Sequence, residues 1–275
     1  VLQSIDHATR AVAPLHRRGV HLSSFSARSP LAGTMVADPL AGPERMLDEP
    51  AARKLLAMAG FDVGAWHFAE HVSDVAAAVD AFGSPCALKV ISPQIIHKSD
   101  AGAVALNVTA TDAAAVTTAM LTKVKENVPN ADINGVLITP MANAGVELLI
   151  GATRDPIFGP VVAFGSGGVA VEVDRDITFR AAPLTLLEAH EMIDETRISA
   201  KLAGYRHVPP VDRTLLANML VQVGQIAATT ASIRELDLNP VIASGSTLVP
   251  VDVRVVLSSN SSGNLDTPRA AVGSQ

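Results

Sequence analysis

Lys89-Val-Ile-Ser-Pro-Gln-Ile-Ile-His97-Lys-Ser-Asp100-Ala-Gly102-Ala-Val-Ala-Leu106 decides how the chain is read. The apolar run that ends near Ile91 is a buried strand. Val104 to Leu106 begins another, and the polar residues between them form a loop that turns on Gly102. His97 opens that loop. A core histidine would sit inside an apolar periodic run, whereas this one is followed by Lys98, Ser99, Asp100 and, after Ala101, the turn glycine. The imidazole is therefore placed where it can move and meet an anion.

Working outward, 275 residues of which 48% are hydrophobic suffice for one large or two small cores. The net charge of -6 gives no field to draw nucleic acid or an anionic membrane, so neither is expected as a partner. A single cysteine, Cys86, within an apolar run excludes a disulfide framework and a cysteine metal site, which points to a reducing, cytoplasmic setting. No window approaches 18 uncharged apolar residues, and no secretory signal pattern opens the chain, which starts at Val1.

Residues 1–45, with scattered histidines and arginines and then a Pro/Gly/Ser-rich stretch, read as an N-terminal helix and linker. Residues 258–275 hold too little apolar content to offset ordering entropy and read as a disordered tail. Between them, residues 46–257 alternate helix and strand. Asp48 caps a helix with Pro50 in its first turn and Gly60 as its stop. Strand 62–68, helix 73–82, strands 86–91 and 103–108, helix 112–127 and strand 134–139 follow, giving an α+β unit with two strand–helix–strand crossings. From Gly145, short apolar runs broken by glycine and Asp155-Pro156 read as antiparallel strands. Thr185 and Glu188 form a capping box. A longer helix starts at Asp212, and strands 233–238 and 247–253 close the fold.

Besides the His97 loop, three groups of residues can carry chemistry. Lys89 lies in the apolar strand CALKVI, where a buried ammonium needs an anion such as phosphate; the alternative is a lysine that snorkels to solvent. Gly165, Gly167 and Gly168 either let backbone N–H groups approach phosphate oxygens or make a plain turn. Neither a P-loop nor a strand-to-helix G-x-G-x-x-G pattern is present. Glu235, Asp237 and Asn239 alternate along one strand, with Asp252 on its neighbour; such oxygen ligands suit Mg²⁺, and a simple polar strand face is the other reading.

The order LDEPAARKLLAMAG, SPCALKVISPQIIHKSDAGAVAL, GVLITPMANAGVELLIGATRDPIFGPVVAFGSGG, ELDLNP and VDVRV resembles the ATP-grasp part of the ADP-forming acyl-CoA synthetases, which are related to the β subunit of succinyl-CoA synthetase. The resemblance implies an ATP-grasp fold of two α+β subdomains with the nucleotide cleft between them. It implies ATP or ADP with Mg²⁺, and conversion of acid, CoA and ATP to acyl-CoA, ADP and phosphate. It further implies that Lys89 contacts ATP phosphates, that Thr139, Pro140 and Met141 form the adenine hinge, and that Glu147 reaches the ribose. On the same ground Asn239 and Asp252, with Asp237, would hold Mg²⁺, and His97 would relay phosphoryl. Neutral imidazole is a good nucleophile near neutral pH, which suits that role.

The chain departs from the family's pattern at Ala103, where a second glycine is expected, and at His207 in GYRHVPP. Nothing in the chain resembles the family's CoA-binding and ligase part. A partner domain or α subunit that handles the carboxylic acid and CoA is therefore implied, and an oligomer is expected. The same family contains ATP-grasp units fused to protein acetyltransferases, so a regulatory nucleotide-binding module is the second reading. A carboxylate–amine synthetase is the third, but it would have no use for a carrier histidine.

Overall fold

The computed structural model describes residues 43–95, 97–168 and 176–258. The N-terminal helix and linker expected over 1–45 lie outside the described residues apart from 43–45, as does the expected tail beyond residue 258.

Two antiparallel-paired sheets organise the chain. The smaller is built from β2 (His67–Ala69), β3 (Cys86–Ile91), β4 (Val104–Val108) and β5 (Gly135–Pro140), in the order β2-β5-β3-β4. Helix α2 (Val72–Phe82) joins β2 to β3, and α3 (Ala113–Asn127) joins β4 to β5. Each crossing skips one strand, so the two expected strand–helix–strand crossings interleave. Both helices lie on one face, because alternation along β3 sends Cys86, Leu88 and Val90 into a core with Val75, Val79, Met120 and Val124. Ala87, Lys89 and Ile91 therefore occupy the face without helices.

The larger sheet takes β1 (Arg45–Met46), β6 (Val146–Asp155), β7 (Gly159–Ser166), β8 (Ile177–Ala181), β9 (Ile233–Ser244), β10 (Thr247–Pro250) and β11 (Val253–Leu257). Its order is β1-β11-β9-β6-β7-β8, with β10 paired to β9. Helices α1 (Glu49–Met58), α4 (Leu186–Glu195), α5 (Ser199–Leu202) and α6 (Arg213–Thr229) belong with this sheet. Its core joins Leu148, Ile150, Phe164, Leu236 and Leu238 to Leu216, Leu220 and Val223 of α6. The helix starts are where local chemistry puts them. Asp48 accepts the Ala51 N–H at 2.8 Å, Thr185 and Glu188 complete their capping box, and Asp212 accepts from Thr214 and Leu215.

Three expected strands differ. Residues 62–66 are irregular, because the Asp62 carboxylate accepts the Gly64 N–H at 2.8 Å and Gly64 holds φ +71°, so the strand starts only at His67. β9 continues to Ser244, well past residue 238. The strand expected over 247–253 breaks at Val251–Asp252, where side chains of Arg53 and Lys89 take the Val251 carbonyl. The hairpin from β6 to β7 is turned by Asp155, whose carboxylate accepts the N–H groups of Ile157 and Phe158.

Gly165 lies inside β7, and a Cβ there would collide with the carbonyl oxygen of Asp176 at the edge of β8. Gly165→Ala should therefore force β7 and β8 apart. A loss of about 1–3 kcal/mol is expected, as for overpacked sites, read as a lower denaturant midpoint; an unchanged midpoint would contradict this packing.

Candidate functional site

The faces of the two sheets that carry no helices border a cavity of about 680 Å³. Thr139, Pro140, Met141 and Glu147, the hinge and ribose candidates, all line it, with Leu106 and Ile242 among the apolar walls. β5 ends at Pro140, and residues 141–145 run from the small sheet to the large one along the cavity. The Met141 N–H donates to the Pro85 carbonyl at 2.9 Å, which holds the bend against the start of β3. The volume falls in the range of small-molecule sites.

At the edge of this cavity five charged side chains meet. Glu49, in the first turn of α1, is 4% exposed. It receives Arg53 Nη2 at 2.9 Å, Lys89 Nζ at 3.0 Å and Lys98 Nζ at 3.3 Å. Lys89 also donates to the Val251 carbonyl at 2.7 Å and to Asp252 Oδ1 at 3.0 Å, and Lys98 reaches the same Oδ1 at 3.3 Å. Arg53, fully buried, caps the Val63, Pro250 and Val251 carbonyls as well. Three cations thus face two carboxylates, and one positive charge is left over beside the cavity that Arg53 and Val251 help to line.

Burial raises the Glu49 pKa; Lys89 opposes the rise and the Asp252 carboxylate reinforces it. Burial would raise Asp252 too. Lys89 and Lys98, with hydrogen bonds from Glu49 and Lys89, instead hold it well below the usual carboxylate range. Lys98 is pushed up: burial works against its charge, but the Asp252 and Glu49 carboxylates outweigh it. Asp252 is therefore the acid of the pair that keeps its charge as pH falls.

For Lys89 the sequence left open a phosphate or solvent as partner, and the side chain does not snorkel to solvent. Its side chain is 7% exposed and its anions are Glu49 and Asp252. Gly167 and Gly168 spend their N–H groups on the protein: Gly167 donates to the Glu147 carbonyl and Gly168 to Asn239 Oδ1, both at 2.9 Å. Residues 169–175, the rest of that glycine-led run, lie outside the described residues. Asp237 stands opposite Gly151 on β6 and Arg254 on β11. Burial, with the nearby Glu235 and Asp252 carboxylates, raises its pKa to about 7. Glu235 is buried beside it, with Oε1 lacking a hydrogen-bond partner. Among the described residues no three His, Cys, Asp or Glu side chains form a self-sufficient metal cluster.

His97 is exposed at the start of its loop, one residue from Lys98. Gly102 takes φ +69°, so the turn needs one glycine there; Ala103 is fully buried in the small-sheet core and its methyl is accommodated. His207 is exposed in the turn closed by the Tyr205–Val208 bridge. Glu49, Arg53 and Lys98 were missed by the sequence reading. The one local trace was the Glu–Arg spacing of four within the otherwise apolar inner side of α1.

Residues 39–257 match the ATP-grasp domain family. The β subunit of the ADP-forming acetate–CoA ligase I of Pyrococcus furiosus is 38% identical over 214 residues, 78% of this chain and 92% of that one. The ADP-forming acetate–CoA ligase I of Archaeoglobus fulgidus is 40% identical over 198 residues, 72% of this chain but 29% of that longer protein, so the chain spans less than a third of it. A solved structure of the dinucleotide forming acetyl-coenzyme A synthetase 1 of Ca. Korarchaeum cryptofilum, in complex with coenzyme A, Ca-AMPCP and HgCl+, superposes with a TM-score of 0.75 at 39% identity, covering 78% of this chain and 93% of that one. The same enzyme with coenzyme A and Mg-AMPPCP, described with its phosphohistidine segment pointing towards the nucleotide binding site, superposes at 0.65 with 36% identity over 77% and 92%. With the family match running through both sheets and a relative this similar over nearly its whole length, the chain belongs to the ATP-grasp domain family, together with the β subunits of the ADP-forming acetate–CoA ligases.

Proposed function

We propose that this chain is the nucleotide-binding part of an ADP-forming acyl-CoA synthetase, working with a CoA-binding and ligase part that supplies a phosphoryl group to His97. The observation that carries the reading is the cavity between the two sheets, lined by Thr139, Pro140, Met141 and Glu147 and bordered by a cluster with surplus positive charge. The base would lie along the 139–141 bend and the ribose near Glu147. The phosphates would be directed to the Arg53–Lys89–Lys98 edge. The relatives reported above carry the names of CoA ligases, which favours a catalytic part over a regulatory module.

In the direction of ATP formation, an unprotonated ring nitrogen of His97 attacks phosphorus on the donor and forms an N–P bond as the donor's bond breaks. A β-phosphate oxygen of ADP then attacks that phosphorus. The N–P electron pair returns to the imidazole, and ATP leaves. Lys89 would exchange its contact with Asp252 for a phosphate oxygen, while Arg53 keeps Glu49 neutralised.

Asp237, Asn239 and Asp252 fit Mg²⁺. They offer oxygen donors, and a cation would offset what raises the Asp237 pKa to about 7, its burial first and then the Glu235 and Asp252 carboxylates. Those three residues would hold the ion, which when bound offsets charge on the phosphates. Carboxylic acid and CoA would be handled by the partner, and assembly with that partner makes the active unit an oligomer or a larger chain.

Incubation with Mg²⁺ and γ-labelled ATP should place acid-labile phosphate on the wild-type chain and none on His97→Ala. Label that survives the substitution would sink the relay. A second expectation concerns pH. The folded pKa of Asp237, about 7 against 3.8 unfolded, means that its neutral form favours the fold; this stability is complete below the unfolded value and is lost as pH rises through about 7. Mg²⁺ should therefore raise the melting temperature more at about pH 8 than at about pH 6, and Asp237→Asn should remove that difference. Equal Mg²⁺ shifts at both pH values in the wild type would count against Asp237 as a ligand.

A further inference from the structure

Lys98 stands out among the charges at the cavity edge because the fold does not need it. Glu49 and Asp252 are already met by Arg53 and Lys89, two cations on regular elements with buried side chains. Lys98 comes instead from the exposed loop, and its side chain, 21% exposed, extends to Glu49 Oε2 and Asp252 Oδ1 at 3.3 Å each. Its neighbour is His97.

Among the described residues, the loop's other hydrogen bonds stay on its own side of the cleft. The Ala101 N–H donates to the His97 carbonyl at 3.2 Å, Gly102 to Ser99 at 3.1 Å and Ala103 to Lys98 at 2.8 Å, which closes one helical turn. The Asn127 side-chain amide of α3 donates to the Ala101 carbonyl at 3.1 Å. All these partners belong to the small-sheet unit. Glu49 and Asp252 belong to the large-sheet unit, through α1 and the turn before β11.

From this geometry we propose that Lys98 is a positioning residue that docks the His97 loop across the cleft onto Glu49 and Asp252. The turn from Lys98 to Gly102 passes that anchorage to the residue at its start, so the place of the imidazole relative to the nucleotide edge is set by an ion contact two chain elements away. Glu49 is the lasting half of the dock, because Arg53 holds it at 2.9 Å whatever else contacts it. Asp252 is the half shared with Lys89. A flexible lysine with long contacts, 3.3 Å each, can let go and return, which suits a loop that must meet a donor outside this chain as well as the nucleotide.

The inference rests on the relay reading of His97, and its test has two arms so that the two can fail separately. Hydrogen exchange on the full chain, without nucleotide, should be about tenfold faster at the amides of Ala101 and Ala103 in Lys98→Ala than in the wild type, with Leu88 unchanged. Lys98→Arg should restore protection. In the second arm, transfer from Mg²⁺ and γ-labelled ATP to His97 should slow about 10-fold to 100-fold in Lys98→Ala. The concentration of ATP giving half-maximal rate should change little, and Lys98→Arg should recover most of the rate. Unchanged exchange overturns the dock. Faster exchange with undiminished labelling overturns the positioning role. A wild type that takes no label on His97 overturns the relay and the positioning role with it, while the exchange arm still decides whether the loop is docked.

Discussion

The structure turns on a charge network, buried at Glu49, Arg53 and Lys89, that sews the two sheets together. Glu49 and Arg53 come from one helix, Lys89 from the centre of the small sheet, Lys98 from the loop after it and Asp252 from the break between β10 and β11. Removing Glu49 would leave the Arg53 guanidinium charged, buried and without its carboxylate, a loss of about 3–5 kcal/mol in comparable pairs. Well-packed apolar side chains in the same five places would stabilise as much or more, so the network's main consequence is positional. Hydrophobic contact tolerates sliding; an ammonium shared by two carboxylates and a carbonyl does not.

That constraint explains why the cavity lies where it does. Alternation puts Cys86, Leu88 and Val90 under the small sheet's helices and leaves Ala87 and Lys89 on the bare face, while Leu236 and Leu238 face α6 and leave Asp237 and Asn239 opposite. Each unit thus buries one sheet face for stability and keeps the other for ligands. The glycines at 165 and 167 serve the same geometry from within. A Cβ at Gly167 would strike the Leu148 backbone, so close strand packing is reason enough for both residues before any phosphate is considered.

What could be read from the sequence follows sequence distance. Helices starting at Asp48, Thr185 and Asp212 declare themselves through contacts no more than three residues apart. The cavity-lining bend at Thr139 to Met141 and Glu147 came through the family resemblance and not through periodicity, which marks β5 only as an apolar run. Glu49 and Asp252 could not be foreseen as partners of Lys89, because they lie 40 and 163 residues away. The break at Val251–Asp252 has the same origin: a strand pattern cannot reveal that two distant side chains will claim its carbonyl. Lys98 read as loop polarity, since the acids that give it meaning belong to the other unit.

The network also shapes how a nucleotide would be gripped on the proposed reading. Lys89 and Asp252, the groups that should meet phosphate and metal, satisfy each other at 3.0 Å. Mg²⁺ and nucleotide together can part them, since each group then receives a new partner of the sign it gives up. Nucleotide alone would leave Asp252 with only the weaker Lys98 contact, and the metal alone would leave Lys89 on Glu49. Binding energy is thus a difference between two well-satisfied states, which makes the grip dependent on both ligands at once. It also keeps the buried charges compensated when neither is present, so the cleft can hold its shape while the His97 loop is engaged elsewhere.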